Sequence, residues 1–101
     1  MSTNSDTAHI LVVDDESAIR YSITKTLQRV GYQVDSAASG EEALQLMAQR
    51  DYNVILTDIR MPGISGVDLL ARVKEQAPDA IVILLTGYAS LDTAVESLRL
   101  G

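Results

Sequence analysis

His9-Ile10-Leu11-Val12-Val13-Asp14-Asp15 is a short run, mostly aliphatic, that stops abruptly on two carboxylates. It does not alternate apolar with polar, so it reads as a β-strand buried on both faces, the kind found in parallel sheets. Working outward, Ile19, Ile23, Leu27 and Val30 recur at helical spacing between Glu16 and Val30, and Gly31 stops that helix. The unit then repeats. Tyr32 to Ala37 forms a second strand. Ser39 caps a second helix, with Glu41 and Glu42 at the positive end of its dipole and Ala43, Leu44, Met47 and Ala48 as its apolar face. Asn53-Val54-Ile55-Leu56-Thr57 is a third buried strand and ends at Asp58. After a loop from Ile59 to Gly66, a third helix runs from Val67 to Ala77 and closes at Pro78. Ala80 to Leu85 is a fourth strand, ending at Thr86-Gly87, and Ser90 caps a last helix with Leu91, Val95 and Leu98 on one face. Strands alternating with helices imply an α/β fold: a parallel sheet with right-handed crossovers and helices on both faces.

Composition narrows the chemistry. A length of 101 residues suits one domain, with residues 1–8, small and polar, as a flexible tail and 9–101 as the folded unit. There is no cysteine, which excludes disulfides and thiolate sites, and the single His9 cannot by itself build a histidine metal site. His9 reads as a strand-start residue. A formal net charge of −6 disfavours phosphate backbones, so direct nucleic-acid binding is not expected. The apolar runs are far shorter than a membrane span, and the polar start does not read as a signal peptide, so a cytoplasmic location is expected.

In a parallel sheet the carboxyl ends of the strands share one edge, and ligands bind beyond that edge. Asp14 and Asp15 end the first strand, Asp58 the third and Thr86 the fourth. Carboxylates gathered there would repel one another unless a cation joined them, and Mg²⁺ prefers such oxygen ligands. A bland reading stands beside this one. An Asp at a strand-to-helix junction commonly serves as a turn or cap residue, and Met61-Pro62-Gly63 after Asp58 is ordinary turn chemistry. Met61 reads as a packing residue, and Glu41, Glu42 and Asp51 read as solvated.

Particular motifs carry a resemblance. Val12-Val13-Asp14-Asp15-Glu16 resembles the first-strand motif of response-regulator receiver domains. Asp58-Ile59-Arg60-Met61-Pro62-Gly63-Ile64-Ser65-Gly66 resembles their phosphoacceptor loop, and Leu84-Leu85-Thr86-Gly87 their switch-hydroxyl segment, although Ala is commoner than Gly after the threonine. Tyr88 to Gly101 is similar to receivers of NtrC-like, sigma-54-dependent transcription activators. The resemblance implies a flavodoxin-like, doubly wound sheet with strand order 2-1-3-4. It implies a Mg²⁺-dependent phosphoacceptor module of a two-component response regulator, taking a phosphoryl group from a sensor histidine kinase and switching a transcriptional output domain. Such a module assists its own phosphorylation without being an enzyme in its own right. By the same resemblance Asp58 is phosphorylated, Asp15, Asp58 and the backbone carbonyl of Arg60 ligate Mg²⁺, and Asp14 acts through bound water. Thr86 would hold the phosphoryl group beside the backbone of Gly87.

The family pattern continues into a fifth strand ending in a lysine and a fifth helix. No lysine here takes that place, since Lys25 and Lys74 fall within helices. The chain is therefore expected to be a receiver incomplete at its C-terminus, with weak phosphorylation and with self-association through the fourth strand or fourth-helix face. Two other classes compete. A phosphatase of the haloacid dehalogenase kind wants a second acid two residues after the nucleophile, where Arg60 stands. A nucleotide-binding protein wants a glycine-rich phosphate loop, and none is present. A receiver kept only as an interaction scaffold stays open.

Overall fold

The computed structural model describes residues 8–59 and 61–85. Within them the chain forms β1 (His9–Val13), α1 (Ser17–Val30), β2 (Gln33–Ala37), α2 (Gly40–Met47), β3 (Val54–Asp58), α3 (Gly66–Gln76) and β4 (Ile81–Leu85). The four strands are parallel in the order β2-β1-β3-β4. That is the doubly wound, flavodoxin-like order expected. Residues 1–7 of the expected tail (1–8), the segment Tyr88 to Gly101 and its helix lie outside the described residues.

The unbroken apolar strands follow from burial on both faces. Along β1, Leu11 and Val13 point to one side and pack with Ala43, Ile55, Leu69 and Val73, under α2 and α3. Ile10 and Val12 point to the other and pack with Ile23, Leu27, Val54 and Leu56, under α1. Alternation of side chains along a strand makes both layers from one sequence run.

Most helix ends obey local rules. The Ser39 hydroxyl accepts the Glu42 amide at 3.1 Å, and the Glu42 carboxylate accepts the Ala38 amide at 2.7 Å. Thus Glu42 is not merely solvated; it closes the N-terminus of α2 from the other side. Ser65 caps α3 in the same manner, accepting from Asp68. Gly31 ends α1 at φ 112°, donating to the Gln28 carbonyl, while the Tyr32 amide reaches the Leu27 carbonyl. A side chain there would sit in the left-handed region, which is why glycine stops this helix.

Two assignments on the apolar faces fail. Val30, the last residue of α1, is 49% exposed. Ala48 is exposed as the C-cap of α2; Leu46 and Ile64 complete that cluster instead.

Candidate functional site

Register brings the acids together. Val13 of β1 pairs with Thr57 of β3, so Asp14 and Asp58 are the next residues on adjacent parallel strands. Such strands lie about 4.8 Å apart. Asp14 continues the sheet, its amide donating to the Ala37 carbonyl at 3.2 Å. Asp15 is the following residue, and one carboxylate oxygen from each of Asp14, Asp15 and Asp58 falls within 4.8 Å of the others. Asp14 is buried, Asp58 partly so and Asp15 exposed.

The bland role and the site role meet in one residue. Asp14 Oδ1 accepts the Glu16 amide at 2.9 Å, an Asx-turn that starts the passage into α1. Glu16, the N-cap, supplies no side-chain cap of its own. Asp15 carries no such bond. The turn chemistry that the sequence allowed for either residue therefore belongs to Asp14.

Electrostatics mark the same place. Burial pushes the Asp14 carboxyl above the usual aspartate range, and the carboxylates of Asp58, Asp15 and Glu16 push it further. The Glu16 amide pulls the other way without cancelling the rise. The donor set is all hard oxygen, gathered against its own repulsion, and this fits a hard divalent cation such as Mg²⁺.

The loop after Asp58 is held by backbone. The Gly66 amide donates to the Ile59 carbonyl at 2.9 Å, and the buried Thr57 hydroxyl donates to the Asp58 carbonyl at 3.1 Å. Gly66 lies so close to the Asp58 carbonyl oxygen that a Cβ would collide with it. The N-terminus of α2 braces the loop elsewhere: Glu41 packs on Gly63 and Ile64 on Gly40. Met61 is buried, as its packing role required.

Arg60, Thr86 and Gly87 lie outside the described residues. Neither lysine within the described helices is directed to the acids. Lys74 Nζ donates to the Ala80 carbonyl at 2.9 Å, just before β4 begins, and Lys25 sits over the Tyr21 ring on α1. The sequence reading overlooked Arg20, whose Nη1 donates to the Asp14 carbonyl at 2.7 Å. The available signal was a basic residue one turn into a helix that begins beside two acids.

His9 starts β1, as expected, but it also joins a second polar group. Asp35 Oδ2 is reached by the Tyr52 hydroxyl at 2.7 Å, by Arg50 at 3.1 Å and by His9 Nε2 at 3.2 Å. Burial opposes ionisation of Asp35, yet these three partners together hold its carboxyl below the usual range.

Comparison with known proteins decides the family. The model of the response regulator receiver domain matches residues 10–101. The chain belongs to this family. It is similar to the response regulator protein PilR of Pseudomonas aeruginosa, 40% identical over 91 residues, which are 90% of this chain and 20% of PilR. It is 37% identical over 92 residues to the DNA-binding transcriptional regulator NtrC of Escherichia coli, covering 91% of this chain and 20% of NtrC. This receiver thus spans about a fifth of the length of those relatives. Among solved structures it resembles the response regulator TrrA of Thermotoga maritima in complex with Mg²⁺ and BeF, at 40% identity and TM-score 0.76, covering 91% of this chain and 80% of that one. TrrA has also been solved in complex with the histidine kinase ThkA. No described helix of the receiver is long and apolar enough to cross a membrane.

Proposed function

We propose that Asp58 is the phosphoacceptor of this receiver and that Asp14, Asp15, Asp58 and the Arg60 carbonyl hold Mg²⁺, with Thr86 and the Gly87 backbone contacting the phosphoryl group. The observation that carries this reading is the meeting of the three carboxylates within 4.8 Å at the carboxyl ends of β1 and β3. Mg²⁺ bound there would neutralise charge on the acids and on an incoming phosphoryl group. An oxygen of the Asp58 carboxylate attacks phosphorus. The bond from phosphorus to the donor's imidazole nitrogen breaks, the imidazole leaves with the electron pair, and an acyl phosphate forms on Asp58. The donor is a sensor histidine kinase, in keeping with the kinase complex of TrrA. The chain is an acceptor that assists its own phosphorylation, and its output is transcriptional, as the names of its relatives suggest.

The surroundings extend the reading. The folded unit is 9–101, preceded by a tail. The module works in the cytoplasm and, at net charge −6, does not bind nucleic acid itself. β4 is the outermost of the described strands on its side, is wholly apolar and leaves Ile81 50% exposed, which supports self-association through it, the fourth-helix face being the other surface we propose. Sedimentation that shows only monomer at high concentration excludes that association.

A titration with beryllofluoride and Mg²⁺, followed by amide shifts, tests the assignment. Saturable binding is expected for the unsubstituted chain and its loss for Asp58→Asn. Binding that survives the substitution refutes the acceptor assignment.

A further inference from the structure

We propose that Arg20 is a positioning residue for the acidic site: its guanidinium holds the peptide between Asp14 and Asp15 so that the Asp15 carboxylate faces Asp14 and Asp58. The inference rests on reading that cluster as a Mg²⁺ site.

Asp14 is fixed at three points. Its amide donates to the Ala37 carbonyl at 3.2 Å, its Oδ1 accepts from the Glu16 amide at 2.9 Å, and its carbonyl accepts from Arg20 Nη1 at 2.7 Å. The first two partners are backbone and would be there with any side chain on α1. The third depends on Arg20. It is short and charge-assisted, hence among the stronger hydrogen bonds available to a neutral carbonyl.

The Asp14 carbonyl and the Asp15 amide are two ends of one planar unit, so fixing the oxygen also fixes the direction in which the chain enters Asp15. Asp15 has little else to hold it. It is exposed, and no described residue donates a hydrogen bond to its carboxylate. Two neighbouring carboxylates repel it. Its place in the cluster is therefore a property of the backbone, and Arg20 is the side chain that secures that backbone. Arg20 can do so because it lies in the first turn of α1, its own amide bonded to the Glu16 carbonyl at 3.0 Å. Its side chain reaches back over the turn that Asp14 initiates.

Charge and position predict opposite signs. If Arg20 mattered only as a positive charge near a cation site, its removal would tighten Mg²⁺ binding. If it positions Asp15, its removal weakens binding. Lysine keeps the charge but not the planar, fixed fork of donors, so Arg20→Lys should weaken binding under the positioning role and leave it unchanged under a pure charge role.

The test is a Mg²⁺ titration followed by amide chemical shifts, with melting temperatures in the absence of Mg²⁺. It compares the unsubstituted chain with Arg20→Ala, Arg20→Lys, Asp58→Asn and, as control, Arg29→Ala in the exposed last turn of α1. Removing a residue that orients a ligand typically costs about 10–100-fold in metal affinity, and a loss of that size is expected for Arg20→Ala. A smaller loss is expected for Arg20→Lys and none for Arg29→Ala. The metal-free Asp15 amide should shift in both Arg20 variants. Should Arg20→Ala not fold, Arg20→Lys decides. Equal or tighter binding by the Arg20 variants overturns the proposal while leaving the metal site intact. Failure of the unsubstituted chain to bind Mg²⁺, or undiminished binding by Asp58→Asn, overturns the metal reading and this inference with it.

Discussion

Replacing Gly66 by alanine should separate a backbone requirement of the site from ordinary helix preference. Gly66 is the first residue of α3, where alanine would normally help by up to about 1 kcal/mol. Here an added Cβ would collide with the Asp58 carbonyl oxygen, and would stand 2.9 Å from Ile59 Cα and 3.0 Å from the Asp58 carbonyl carbon. Carbon atoms rest at about 3.5–4.0 Å, so the backbone would have to retreat by roughly 0.5–1 Å. No flexible side-chain end is there to give way. Overpacking of this kind costs about 1–3 kcal/mol, and loss of the hydrogen bond from Gly66 to Ile59 adds about 1 kcal/mol. Set against the helix gain, the net is about 2 kcal/mol, or a melting temperature lower by roughly 8–16 °C for a domain of this size. The displaced atoms belong to Asp58 and Ile59, so Mg²⁺ affinity should fall as well. Gly31→Ala supplies the contrast. Nothing lies within 4 Å of a Cβ there, but φ is +112°, so it should cost stability through strain alone and spare the site. Circular dichroism melts with and without Mg²⁺ give both quantities. A Gly66→Ala melt within 2 °C or so of the unsubstituted protein, or a Mg²⁺-induced gain as large as before, would refute the reasoning.

Asp14→Asn removes a buried charge whose pKa is raised, and a like-charge pair within 4.8 Å costs on the order of 1 kcal/mol. The metal-free protein should therefore melt higher at pH 7, while the gain from Mg²⁺ shrinks; parallel melts with and without the ion check this. The advantage should also fade in acid, because a raised Asp14 pKa means that the folded state takes up its proton first and the repulsion disappears as pH falls. Tyr52→Phe should cost about 1 kcal/mol at neutral pH, read from denaturant midpoints. Asp35 has a lowered pKa, so its contribution is present above the unfolded value of about 3.9 and is lost as pH falls through the folded one; the Tyr52→Phe deficit should shrink in that window. Leu56→Ala empties a fully buried position between β3 and α1 and should cost about 2–5 kcal/mol by the same measurement.

Much of this was legible beforehand because it depends on local pattern. Aliphatic runs ending in acids give parallel strands, and parallel strands put Asp14, Asp15 and Asp58 on one edge without any knowledge of side-chain contacts. The Ser39 cap and the Gly31 stop are likewise fixed within a few residues of themselves. What escaped depends on contacts between distant segments. Helical spacing put Val30 on the apolar face, but at the very end of α1 it stays exposed. Asp35 sits in a polar edge strand and shows its partners only when Arg50, Tyr52 and His9 arrive from elsewhere. Arg20 is six residues from Asp14, and only the turn at Asp15 and Glu16 brings its side chain back. The close approach of Gly66 to Asp58 is a feature of the folded loop, and a glycine before a helix has many explanations.

The pairing of Val13 with Thr57 has a mechanical meaning. Both residues lie in the most deeply buried strands, whose amides should exchange with solvent only when the whole domain opens. Asp14 and Asp58 lie one residue beyond that pair, so the backbones that carry them cannot separate without breaking the sheet. A cation arriving between the acids would meet ligands already gathered for it, and part of its affinity would come from relieving their repulsion, beyond the bonds it made. That gathering was set when the core folded.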